Sequence, residues 1–498
     1  MEKILKYQTQ ALLVILAVAF SSCNEFLDEV PDNRVALDDI DKAAQLLTTG
    51  YSIASPAFTD WMTDNVSFTR GVTIRMSHDQ AYKWEEFFDD PNEQDTPAFY
   101  WYQTYNAIAH ANEVLTIIDE LDAVSEEDQS KKRALESEAL LIRAYGHFML
   151  VNLFAKHYNE QTAGSDLGVP YVDTPETVFI ETYSRNTVRE VYDRVEEDML
   201  RGIELLDDRF FANSGKYHFN RNAALAFASR FYLFKREYAE CVNFSSQMLG
   251  ATPSNFVREL GSEEFQLASS SVTAYPQLYS SPDQPSNLMM MRKISLVQIT
   301  GLAHGPTTQL ANDLFGETPF TISTDFRENP AFIKGENGVF PARYESLFER
   351  SGLNSSVGFP YHIAMIFRGE EVLLNRAEAY VELNQFDNAL QDLQVLVEKR
   401  YSGDPVISLE LIRNWRGVGN SPFVRDSNLL RDFVLLERRK EFIIQGMRWF
   451  DIKRHSIEVE HLLQDEETTI TLREDDRRKV LQIPTSAIEI GGLQPNPR

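Results

Sequence analysis

Tyr238-Ala-Glu-Cys241 aligns with Phe386-Asp-Asn-Ala389 at an offset of 148 residues. At that offset Ser229 falls on Ala377 and Leu233 on Val381. Each stretch therefore places a small residue twelve positions before another small residue, with an aromatic three before the second. Tetratricopeptide-type hairpins pack by this rule. Small side chains let two helices approach closely, and the ring fills the adjoining groove. Cys241 takes a small-residue slot and behaves there as a small hydrophobe. The full repeat consensus is absent.

Helical spacing recurs elsewhere. It predicts helices over Ala98–Leu121, Lys131–Phe154, Val188–Leu206, Asn222–Lys235, Glu370–Leu383 and Asp387–Lys399, and one running from Asn428 to Ile444. The first two should pair across an acidic turn, Ser125–Ser130. The third and fourth should pair, as should the fifth and sixth, and the seventh begins a further unit. Between them lie Tyr51–Pro97, with Trp61, Tyr82, Trp84 and the acidic run Glu85–Asp95, and Pro253–Phe359, rich in Ser, Thr, Gly and Pro. The second stretch carries the apolar patches Leu288–Met291 and Ile294–Ile299. Both are too long for ordinary connections, and their aromatic content argues for order. The fold class expected is all-α dominated, with tetratricopeptide-like hairpins and long loop-rich insertions. A chain with 5 Trp, 20 Tyr and 32 Phe is not a disordered one. The net charge of −27 would repel a phosphate backbone, which excludes nucleic acid as principal partner. Two cysteines exclude a disulfide framework and a cysteine-rich zinc module.

The chain begins with Lys3 and Lys6, then the apolar run Ala11–Phe20, then Ser21, Ser22 and Cys23. The run is too short to span a bilayer, and its layout is that of an export signal over residues 1–22. A cysteine directly after small residues resembles the bacterial lipoprotein lipobox, although Phe20 stands where an aliphatic is usual. That resemblance implies cleavage before Cys23, lipid on its sulfur, and stable anchoring by more than one acyl chain. It leaves Cys241 without a cysteine partner, so no intramolecular disulfide is expected. Glu25, Asp28, Glu29 and Asp32 follow closely. In Bacteroidetes lipoproteins such acidic starts resemble a signal for the outer face of the outer membrane.

The most distinctive stretch runs from Leu436 to Arg454 and contains Glu437, Arg438, Arg439, Glu441, Gly446, Arg448, Trp449, Asp451 and Arg454. It resembles the C-terminal signature of the SusD/RagB family of outer-membrane nutrient-binding lipoproteins, with Gln445 and Phe442 departing from the usual Glu and Leu. Phe367–Tyr380, the tail Leu481–Pro484 with Pro495–Pro497, and the start Cys23–Asp28 resemble further family segments. On its own residues the signature reads as scaffold. Gly446 suits a helix C-cap, Arg438, Arg439 and Lys440 complement a helix dipole, and Arg448 can pair with Asp451. The implied organisation is a signal at 1–22, a tether and loop-rich segment at 23–97, helical hairpins at 98–250, an irregular ligand-side insertion at 251–366, and a C-terminal helical region at 367–498.

No Walker loop, G-x-S-x-G, H-E-x-x-H or C-x-x-C motif is present. His455 and His461, six apart, are not a metal pair on one helix face. No catalysis or cofactor is expected; no metal ligand set is assigned and no calcium loop is written, although the acidic loops leave Ca²⁺ open. Recognition of sugars needs flat rings for C–H faces and polar groups for hydroxyls. The candidates for ligand contact are Asp79, Tyr82 and Trp84, with Trp61 and Arg75 nearby, then Tyr275 and Tyr279; Trp101 reads as core. The resemblance implies a lipid-anchored outer-membrane protein, facing the exterior, that captures an oligosaccharide or polysaccharide. It also implies a SusC-like TonB-dependent transporter as partner. Peptide binding on the same scaffold, a surface glycosidase and an assembly adapter remain open.

Overall fold

The computed structural model describes residues 37–498, except 177, 179, 180, 212, 213, 298–301, 329, 330, 335, 336 and 354. The export signal, Cys23 and the acidic start lie outside the described residues, as does part of the patch Ile294–Ile299. Ile40–Arg498 pack as one unit.

Helix α1, Pro97–Ile117, starts with Pro at its first position and Thr96 capping the Phe99 N–H at 3.1 Å. Helix α2, Glu126–Phe154, starts with a reciprocal capping box between Ser125 and Asp128. The acidic stretch expected as a turn is therefore the first turn of α2, where carboxylates meet the positive end of the dipole. The two helices cross closely at Gly146, where an added Cβ would lie 2.8 Å from Ile108. Helix α3, Val188–Leu205, packs on α2 and not chiefly on the following helix. Gly202 lies against Leu141, Ser137 Oγ donates to the Gly202 carbonyl at 2.6 Å, and Arg143 grips Asp198 at 2.6 Å.

The repeated hairpins are α4 (Arg221–Lys235) with α5 (Tyr238–Leu249), and α6 (Gly369–Glu382) with α7 (Phe386–Glu398). Their turns match: Arg236 and Asn384, also 148 apart, both take left-handed φ, 66° and 58°. Helix α5 packs on α6, so the hairpins stack. Ser229, Cys241, Ala377 and Ala389 are all fully buried. Cys241 Sγ lies 3.6 Å from the Asn375 carbonyl across that contact. Burial pushes its thiol up to about 12, which suits a packing role.

Helix α8, Asp426–Glu441, and helix α9, Arg448–Arg454, carry the signature. Its charged residues tie distant elements together. Glu437 accepts from Arg327 at 2.8 Å, Glu441 from Arg400 at 2.8 Å, Asp451 from Arg438 at 3.1 Å, and Glu378 from Arg454 at 2.7 Å. Arg448 grips Asp64, at 2.9 and 2.8 Å, where a local pair with Asp451 was expected. Arg439 also reaches Asp64, and Lys440 donates to the Glu317 carbonyl at 2.7 Å. These cations act through specific partners and not mainly through the helix dipole. Gly446 lies five residues past α8. Its φ of 75° and a Cβ clash with the Pro56 carbonyl at 2.8 Å explain the glycine as a close approach, where a C-cap was expected.

The stretch 253–359 is more regular than its composition suggests. Asn287–Ile294 (β1), Leu347–Arg350 (β2) and Gly358–Arg368 (β3) form an antiparallel sheet in the order β1-β3-β2. A C-terminal hairpin, Val459–Leu462 (β4) with Thr469–Leu472 (β5), packs near the short strand pair Ser67–Phe68 and His304–Gly305.

Candidate functional site

The seven residues expected at a ligand surface separate into three environments. Tyr275 and Tyr279 belong to a buried cluster with Leu260, Phe265 and Tyr344. Tyr279 Oη accepts from Arg368 at 2.6 Å, and the Arg258 guanidinium sits 4.1 Å from its ring centre. Arg75 is exposed, beside the exposed Val72, Ile74 and Met76. Asp79 is half-buried and bonded to Lys83 at 2.6 Å. Trp61, Tyr82 and Trp84 do converge, but inward.

Their rings build a column with histidines. Trp84 stacks on His461 at 4.4 Å, His461 on Tyr82 at 4.1 Å, and Tyr82 on His304 at 4.3 Å; beside them Trp61 stacks on His78 at 3.6 Å. The polar edges are satisfied too. Trp61 Nε1 donates to the His304 carbonyl, Trp84 Nε1 to that of Met62, and Tyr82 Oη to that of Leu462, at 3.2, 2.9 and 2.7 Å. Trp61, Tyr82, Trp84, Tyr275 and Tyr279 are all at least 96% buried, so the expectation of open ring platforms there is corrected. Imidazoles occupy the faces that a sugar would need. Burial pushes the His304 pKa down to about 4, with Asp79 opposing, so its ring packs as a neutral surface at neutral pH.

Beyond His304 the rings continue to Phe68, tilted at 6.3 Å, and Phe68 is only half-buried. It lines a cleft of about 580 Å³, within the range of small-ligand sites. Five parts of the chain supply the walls: the segment Asp64–Arg70, the helix Thr308–Gly316 with the residues flanking it, Asn337, Arg439 of α8, and the β4–β5 hairpin. Thr307 Oγ caps the helix at 3.2 Å from Leu310 N, and Thr308 N donates to the Asn337 carbonyl at 2.8 Å. Asn337 Oδ1 is buried, with no hydrogen-bond partner among the described residues. Burial raises the Asp64 pKa, but Arg448 and Arg439 more than reverse this and hold it well below the carboxylate range. Asp64 is thus a fixed anion, able to accept hydrogen bonds and unable to serve as a general acid at neutral pH.

One half-open ring, side-chain amides of Gln309 and Asn337, and ordered carboxylates are what a hydroxylated ligand with an apolar face requires. A second cleft, about 560 Å³, opens at the Trp84 end of the column, lined by Met62, Phe88, Pro97, Arg478 and Pro484. Its cations are engaged, Arg478 with Asp476 at 2.7 Å and Arg498 with Glu86 at 3.7 Å. Phe68, Gln309, Asn337, Glu460 and Glu466 were not singled out in the sequence. The alternation Val459-Glu-His-Leu462 signals a strand with Glu460 outward, but nothing local places it beside Phe68. Among the described residues no group of three or more His, Cys, Asp or Glu is spaced to hold a metal ion, and no helix is long and apolar enough to cross a membrane.

Two family models match the chain. One, described as "Starch-binding associating with outer membrane", covers residues 25–233; the other, described as "SusD family", covers residues 348–487. Together they account for more than half of the chain, which belongs to the SusD family, a carbohydrate-binding family associated with the outer membrane. The chain is similar to SusD-like protein P38 of Formosa agariphila, 22% identical over an alignment of 404 positions that covers 74% of each chain. It shares its fold with a putative sugar binding protein from Bacteroides vulgatus, with a TM-score of 0.69, 20% identity and coverage of 93% and 99% of the two chains. A laminarin binding SusD-like protein superposes with a TM-score of 0.62 at 16% identity, over 92% and 99%.

Proposed function

We propose that this protein captures an oligosaccharide or polysaccharide at the cell surface and delivers it to a SusC-like TonB-dependent transporter, without catalysis. The observation that carries the capture step is the Phe68 cleft, whose walls combine a half-buried ring, the ionised Asp64 carboxylate, further carboxylates and amides. Family membership and the laminarin-binding relative support a saccharide. Lipid on Cys23 would hold the protein in the membrane. In this reading residues 23–97 and 251–366 carry most of the ligand side, joined by the β4–β5 hairpin. The face formed by the stacked helical hairpins would dock on the transporter.

The test is calorimetric titration of the soluble chain from Asn24 onward against a glycan panel and a peptide panel. Micromolar-range binding to a glycan, removed by Phe68→Ala, is expected. Binding confined to peptides would replace the ligand class, and release of reducing sugar would replace the non-catalytic reading. Cys23→Ala in the full chain should move the protein out of the membrane fraction.

A further inference from the structure

The charges around the Phe68 cleft bear on which saccharides can enter. Five carboxylate residues line it: Asp64, Asp313, Glu317, Glu460 and Glu466. Its two arginines are both paired, Arg439 with Asp64 at 3.2 Å and Arg70 with Glu466 at 2.6 Å. Glu317 is in turn held by Arg416 at 2.9 Å. Among the described residues the Asp313 side chain accepts only from the neutral Gln309 amide, at 2.8 Å, and Glu460 stands exposed on β4. The hairpin turn beside the cleft adds Asp465 and Glu467. From this arrangement, and resting on the cleft as the capture site, we infer that the protein selects uncharged saccharides and rejects uronic or sulfated ones.

The physical basis is the difference between carboxylates paired with arginine and those that are not. Carboxylates paired with arginine keep lone pairs for sugar hydroxyls, so Asp64, Glu317 and Glu466 still accept hydrogen bonds. Their charge is largely cancelled, so they attract cations weakly. Among the described residues no cation is paired with Asp313 or Glu460, and an anionic sugar entering between them meets like charge in a walled cleft. It also finds both arginines already taken. An uncharged sugar meets neither cost. Recognition then rests on contact with the Phe68 ring and on hydrogen bonds, and depends little on salt.

The experiment titrates the soluble chain with three oligosaccharides of equal length: a neutral β-glucan, an oligouronate and a glucosamine oligomer. The neutral ligand should bind with a Kd that changes less than about twofold from low to high salt. The oligouronate should bind at least about tenfold more weakly, and the double variant Asp313→Asn, Glu460→Gln should narrow that gap severalfold. Phe68→Ala should weaken the neutral ligand. Oligouronate binding as tight as the neutral one, or an unchanged gap in the double variant, would overturn the inference while leaving glycan capture standing. The glucosamine oligomer, drawn to Asp313 and Glu460, should bind at least as tightly as the neutral ligand and lose affinity as salt rises; weaker binding than the neutral ligand would overturn the inference as well. If no saccharide binds, or Phe68→Ala changes nothing, the assignment of the cleft itself fails and the inference falls with it.

Discussion

Around α6 and α8 the guanidinium–carboxylate pairs are sealed. Arg400, Glu441, Arg258 and Glu370 have no side-chain exposure above 1%, and each bonds to another. Around the Phe68 cleft the same pair types stand open: Arg70 and Glu466 are nearly half-exposed, and Asp64 lies between Arg448 and Arg439 at the edge of the packed region. One side-chain chemistry thus serves two ends. Sealed pairs have no role but to tie helices to insertions, since water and ligand cannot reach them. Open pairs keep lone pairs available to a ligand.

The contrast breaks most sharply at the sealed end. Glu441→Ala leaves Arg400 buried without its main partner, and removing one member of a buried pair costs about 3–5 kcal/mol. A large fall in melting temperature is expected; a variant as stable as the parent would show the network to be dispensable. Trp84→Ala removes a ring packed on His461 and the N–H bond to Met62, a loss of about 3–5 kcal/mol for a buried Trp. Thermal unfolding should report it as a core substitution.

Buried imidazoles, His304 in the ring column and His147 and His362 elsewhere in the core, also give a pH signature. Burial pushes His304 down to about 4 and His147 and His362 down to about 3. The unfolded chain takes up these protons near pH 6.5 and the native one does not. Stability is therefore full above that pH and falls as pH drops toward 4, by up to about 1.4 kcal/mol per pH unit for each histidine. Asp60 opposes one of the three. Burial pushes it up to about 7, so the native state holds its proton where the unfolded state has lost it. The net expectation is a melting temperature that declines between pH 6.5 and 4.5, with a shallower slope in His304→Gln. A flat profile would contradict the buried neutral imidazoles.

The helical hairpins were legible because their rule is local. A small residue, a ring and a second small residue within thirteen positions define the contact, and the left-handed turns at Arg236 and Asn384 repeat with it. The signature was legible as scaffold but its partners were not. Asp64 lies 384 residues before Arg448, and no spacing reveals that pair. Ring direction was illegible for the same reason. Whether Trp84 and Tyr82 face a ligand or the interior is decided by His461 and His304, which arrive from far along the chain. Phe68 was passed over because a lone Phe between Ser67 and Thr69 gives no signal until the helix Thr308–Gly316 and the β4–β5 hairpin close the cleft around it.

The smallest stability effect and the largest binding effect should coincide at Phe68. The measurement is the affinity for a neutral glycan and the melting temperature, taken together for Phe68→Ala and Trp84→Ala. Phe68→Ala should lose most of the affinity while melting within a few degrees of the parent, because its ring is half-open. Trp84→Ala should melt much lower. Full affinity in Phe68→Ala, or lost affinity with unchanged melting in Trp84→Ala, would place the ligand at the other end of the column and contradict the account.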